Sequence, residues 1–117
     1  MFHLSYHPLV LIMYLLALSF ATQANAEQSA QTTDTGKSIA VDLCQACHSF
    51  EGADQAGTVG PPFIKMQQRF PEREKLRAII YDPQKVLKPH TMMPPFGRNE
   101  LMAKDEIEKV IDFLYTL

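Results

Sequence analysis

From residue 9 to residue 20 the chain is apolar almost without interruption, LVLIMYLLALSF. The run then breaks into the small residues of ATQANA and a polar stretch, EQSAQTTD, over residues 27–34. Beyond it, apolar positions return at helical spacing. Ile39, Leu43 and Ala46 stand at i, i+4 and i+7, and Asp34 or Thr35 can cap them. A first helix is expected from about Thr35 to Ala46. PEREKLRAIIY predicts a second. Pro71 suits the first helical position, Glu72 and Glu74 favour its positive end, and Leu76, Ile79 and Ile80 share one face. Asp82-Pro83 ends it. A last helix is expected from about Lys104 to Thr116, with Ile107, Val110, Ile111 and Leu114 at i, i+3, i+4 and i+7. The connecting segments EGADQAGTVGPPF and KPHTMMPPFGRN are too rich in Gly and Pro for regular structure. No alternating run marks a strand. The pattern reads as all-α, with three to four short helices joined by long loops. Long loops in so small a domain are expected to pack on something.

Length allows one domain in 117 residues. The first apolar run has the length of a signal peptide and is short for a bilayer span. Ala24 and Ala26 form the small-x-small pattern of a cleavage site, so cleavage is expected after Ala26, with export to the periplasm. The residues before the run include no Lys or Arg, and an uncleaved anchor is the alternative. The expected division is signal peptide 1–26, disordered leader 27–34 and folded domain 35–117, with no membrane segment in the mature form. Such a domain is too small for a thick core and needs a staple: disulfides, a metal or a bulky cofactor. The 11 Lys and Arg against 13 Asp and Glu leave no basic stripe, which argues against nucleic acid as a partner.

The staple is sought in DLCQACHSF, which holds both cysteines of the chain. A Cys44–Cys47 disulfide would close a tiny loop and constrain little. A redox dithiol needs a preceding strand and a βαβ context. A structural zinc site needs four ligands, and downstream only His90 is available. Covalent haem remains. In C-x-x-C-H the two thiols add to the two vinyl groups, and the adjacent His48 faces the iron. One covalently attached haem c would then be the core around which the loops fold.

The iron's other face has five candidate ligands: Met66, Met92, Met93, Met102 and His90. Met66 lies at helical spacing from Phe63 and Phe70 and reads as core filler, as does Met102 before the last helix. Met92 and Met93 lie in the proline-stiffened TMMPPF loop. Met93, held by Pro94 and Pro95, is favoured, with Met92 second and His90 third. A ligating His donates its other ring N–H to an acceptor. The Pro61 carbonyl in VGPPF is one candidate, unless that loop is merely stiff. Arg98 could pair with a haem propionate, or be an exposed charge after a turn.

CQACH, the GPP loop and a methionine loop before an amphipathic C-terminal helix resemble a class I cytochrome c. Gly36 resembles the small residue where that family's first helix crosses its last. The tail, with MPPFGRN followed by EI and FLYTL, resembles the SoxX family of monohaem cytochrome c subunits over residues 36–117. The resemblance implies His48 and Met93 as axial iron ligands, Cys44 and Cys47 as haem attachment points, and no catalytic residue on this chain. It implies a heterodimer with SoxA, another c-type cytochrome, acting as an L-cysteine S-thiosulfotransferase. That enzyme couples thiosulfate oxidatively to a cysteine of the carrier SoxYZ; the sulfur chemistry falls to SoxA, and electrons pass to a downstream acceptor. Two departures stand out. Ala103 replaces a frequent Thr, which removes a helix cap. KPHT replaces a more usual NPNT, which brings His90 near the methionine loop. A free periplasmic electron shuttle is the competing function, with Lys65, Arg69, Lys85, Lys88 and Arg98 as a possible docking ring, but the net charge of -2 fits a cationic shuttle poorly. A haem sensor would need an open sixth site, against which the Met93 loop argues.

Overall fold

In the computed structural model, residues 27–28 and 30–117 are described. The expected signal peptide and its cleavage site lie outside them. The chain divides into two units, Met1–Gln31 and Thr32–Leu117. In the first, residues 27, 28, 30 and 31 are helical. In the second, residues 32–44 are helical, here α1. Residues 27, 28 and 30–34, expected as a disordered leader, are thus helical where described. The segment contains no Gly or Pro, and its Ala, Gln and Glu residues favour helix.

Four more helices follow: α2 Met66–Arg69, α3 Arg73–Tyr81, α4 Pro83–Val86 and α5 Lys104–Leu114. Among the described residues there is no strand, and the fold is a small all-α domain, as expected. No described helix is long and apolar enough to cross a membrane. Helix α3 starts two residues after Pro71, with Glu72 as its N-cap, and Pro83 begins α4 directly behind it.

The core forms where α3 meets α5. Leu76, Ile79 and Ile80 of α3 are buried, as are Ile107, Val110, Ile111, Phe113 and Leu114 of α5. Both faces match the sequence periodicity. The face of α1 matches only in part: Ile39 is half-buried against the core. Ala40 is fully buried and Gly36 is buried, while Leu43 and Ala46 are exposed. The packing stripe of α1 is made of small residues, which a search for large apolar side chains passes over. Gly36 faces the backbone of Lys109 and Val110, and a Cβ there would overlap the Lys109 carbonyl. Only glycine lets α1 and α5 cross this closely.

Charge reinforces the α3–α5 pairing. Arg73 bonds Glu108 at 2.8 Å and Asp112 at 2.8 Å, and Arg77 closes on the same Glu108 carboxylate. The Arg77 and Arg73 guanidinium groups hold the Glu108 carboxyl down at about 2, below its ordinary 4.5, against the opposing effect of burial. At the start of α5, Ala103 offers no side-chain cap, but the Glu106 carboxylate accepts the Ala103 N–H at 2.7 Å. One half of a capping box is thus present and the other half is missing.

A carboxyl with a depressed folded-state pKa stabilises fully above its unfolded value and loses that contribution as pH falls. Glu108 should therefore contribute above pH 4.5 and lose its effect down to about pH 2. Glu108→Gln should lower stability at neutral pH by about 1 kcal/mol or less, since the carboxylate is partly solvated, and flatten the acid limb. Denaturant melts between pH 7 and pH 2 measure both. Ala103→Ser, which completes the box, should raise the denaturation midpoint by the equivalent of about 0.5–1 kcal/mol.

Candidate functional site

Helix α1 delivers the cysteine motif at its C-terminal end. The Cys47 and His48 N–H groups both donate to the Cys44 carbonyl, at 3.1 and 2.9 Å. This tight turn brings Cys44, Cys47 and His48 to one cavity of about 630 Å³. Both cysteines are free and half-buried. Burial, with the Cys47 thiol beside it, pushes the Cys44 thiol up to about 12. A thiol held neutral in this way is the opposite of what a redox dithiol requires. Among the described residues, no group of three or more His, Cys, Asp and Glu is placed to hold a metal ion, so no zinc cluster is assembled there.

The Gly/Pro-rich loop folds back on this turn. Gly60 N–H donates to the Cys47 carbonyl at 2.7 Å, and Phe63 N–H to the Ser49 carbonyl at 2.9 Å. His48 Nδ1 lies 2.7 Å from the Pro61 carbonyl oxygen. That oxygen can only accept, so Nδ1 is the donor, and in the neutral ring Nε2 is the nitrogen available as a ligand. Phe63 stacks on the imidazole at 4.3 Å between centroids, and Phe50 continues the row to Phe113. Gly60 lies so close to the ring that a Cβ would collide with it. The imidazole is thus fixed in tautomer, tilt and position by three neighbours.

A second loop, between α4 and α5, borders the same cavity. Met93 is half-buried and packs on the core, while Met92 is 81% exposed. His90, also exposed, lines the cavity too. Met66 and Met102 border it as well, but each is 3% exposed and belongs to the core cluster. Cys44, Cys47, His48, His90, Met92 and Met93 therefore share one site.

Arg98 does not. Its guanidinium is spent on Asp82 and Gln84, and it is not among the cavity's lining residues. An acidic residue 16 positions upstream, brought close by the fold, takes its guanidinium. Two cations do line the cavity, Arg69 and Lys88. Arg69 is steadied by the Pro62 carbonyl at 2.8 Å. In the sequence it was only one charge among several; its place one turn beyond the buried Met66 is the signal that could have singled it out.

The residues present fit a covalent haem. The cavity falls within the range of about 300–1,000 Å³ usual for cofactor sites, its lining is mainly apolar, and two thiols and an imidazole with a free Nε2 converge on it. Cys44 and Cys47 would hold the group, and His48 would face the iron.

A model of the cytochrome c family matches residues 33–117. No curated protein and no solved structure matches the chain. The matched segment contains the cysteine motif, its wrapping loop, the methionine loop and α5, and the chain belongs to the cytochrome c family.

Proposed function

We propose that this chain is the electron-accepting monohaem c-type subunit, SoxX, of a heterodimeric L-cysteine S-thiosulfotransferase. Its partner is a SoxA-type cytochrome, and together they couple thiosulfate oxidatively to a cysteine of a SoxYZ-type carrier in the periplasm. Membership of the cytochrome c family supports electron transfer by a covalently bound haem c; the finer reading is carried by the tail, MPPFGRN to FLYTL. Haem c supplies one-electron redox chemistry when bound. In this reading the chain's residues make no bonds to sulfur. Cys44 and Cys47 would anchor the group, and His48, its Nδ1 held by the Pro61 carbonyl, would be one iron ligand. Met93 would be the other, and a Met ligand gives a higher potential than a second His.

One feature of the surface favours a lasting partner over a shuttle. Of the five cations that could have ringed the cavity, Arg69 and Lys88 line it, and Arg98 is tied to Asp82. Cationic rings steer transient encounters, and here the ring is incomplete.

Purification from the periplasm of thiosulfate-grown cells, followed by haem staining, should recover this chain with a larger c-type cytochrome. The isolated chain should be inactive with thiosulfate and carrier. A stable monomer that feeds an oxidase, with no effect on thiosulfate oxidation when deleted, would point to the free shuttle. Met93→Ala should abolish the Met–iron absorption band and lower the reduction potential. An unchanged spectrum would transfer the role to Met92 or His90.

A further inference from the structure

The methionine loop, residues 87–94, is tied at its two ends. Among the described residues its own hydrogen bonds are internal: Thr91 N–H to the Lys88 carbonyl at 3.2 Å and Met93 N–H to Thr91 Oγ1 at 3.4 Å. At the near end, Leu87 N–H closes α4 on the Pro83 carbonyl at 2.8 Å. At the far end, the Gly97 and Arg98 N–H groups both donate to the Tyr81 carbonyl, at 3.2 and 3.1 Å. The two ends therefore meet at the α3–α4 junction.

The Arg98 side chain locks this junction. Its Nη1 reaches both Asp82 carboxylate oxygens at 3.0 Å, and its Nη2 reaches Gln84 Oε1 at 2.6 Å. The Asp82 side chain is only 13% exposed, so the pair is better shielded than an ordinary surface bridge. Asp82 precedes the methionine loop and Arg98 follows it. Their contact closes the chain between them into a ring, which reduces the conformations open to the loop. Charge-assisted bonds from a planar fork also fix direction, which a lysine at the same place could not reproduce.

We propose that Arg98 is a positioning residue for the distal ligand: through Asp82 and Gln84 it pins the ends of the 87–94 loop and so holds Met93 against the cavity. This rests on Met93 being the distal ligand, as argued above. Arg98 itself does not line the cavity.

The test compares holo wild type, Arg98→Ala and Arg98→Lys by hydrogen exchange and by the Met–iron absorption band. In Arg98→Ala, amides of the 87–94 loop should exchange about tenfold faster, with α3 and α5 unchanged, and the band should disappear at a lower temperature. Arg98→Lys should recover only part of both effects. Should Arg98→Ala fail to fold, Gln84→Ala removes one of the contacts and should give the same pattern in smaller measure. Loop exchange at the wild-type rate, or equal acceleration throughout α3 and α5, would overturn the latch. Faster loop exchange with an unaltered band would overturn its action on Met93. The two arms fail separately, because a band retained in Met93→Ala refutes the ligand assignment while exchange still reports on the loop.

Discussion

Helices α1 and α5 cross with Gly36 directly against the backbone of Lys109 and Val110, and the placement of the whole site follows from that contact. Without a side chain at residue 36, α1 can lie close on α5, and Ala40, one turn on, is fully buried in the same seam. A further turn brings Cys44 to the edge of the core, where α1 ends. The motif therefore emerges at the cavity because of a small-residue stripe two turns upstream. Helix α5 in turn is fixed to α3 by an apolar face and by the two arginines that share Glu108.

The two loops that border the cavity are built differently. The loop that holds His48 is bonded along its length: Gly60 to Cys47, Phe63 to Ser49, Pro61 to the imidazole, with Phe63 stacked on the ring. The methionine loop is tied at its ends. A well-supported imidazole thus shares the cavity with a methionine whose position depends on how tightly those ends are closed.

Much of this was legible in the sequence, and the rest was hidden for definite reasons. The buried faces of α3 and α5 followed from the spacing of Leu76, Ile79 and Ile80 and of Ile107, Val110, Ile111 and Leu114, because large aliphatic residues signal burial directly. The face of α1 was read only in part, Ile39 but not its neighbours, because Gly36 and Ala40 pack through closeness and not through bulk. The hydrogen bond from His48 to Pro61 could be anticipated, since a Gly-Pro pair offers an accessible carbonyl near the motif. The partner of Arg98 was not legible because Asp82 belongs to another element, and spacing says nothing about which carboxylate a guanidinium will meet. Arg69 carried no mark beyond its charge, and only the cavity wall gave it a position.

The wrapping of the motif by its own downstream loop also bears on how the chain matures. The bonds among Cys44, Cys47, His48, Gly60, Pro61 and Phe63 all lie within one short stretch of sequence, whereas the Gly36 contact with Lys109 spans most of the domain. Short-range contacts form early in folding, and long-range ones come after the intervening chain has been ordered. The attachment turn is thus a local unit, able to assemble around its histidine while α5 is still undocked. Its thiols can be presented for modification on a chain that is otherwise unfinished, and the helix crossing comes later to close the domain over the result.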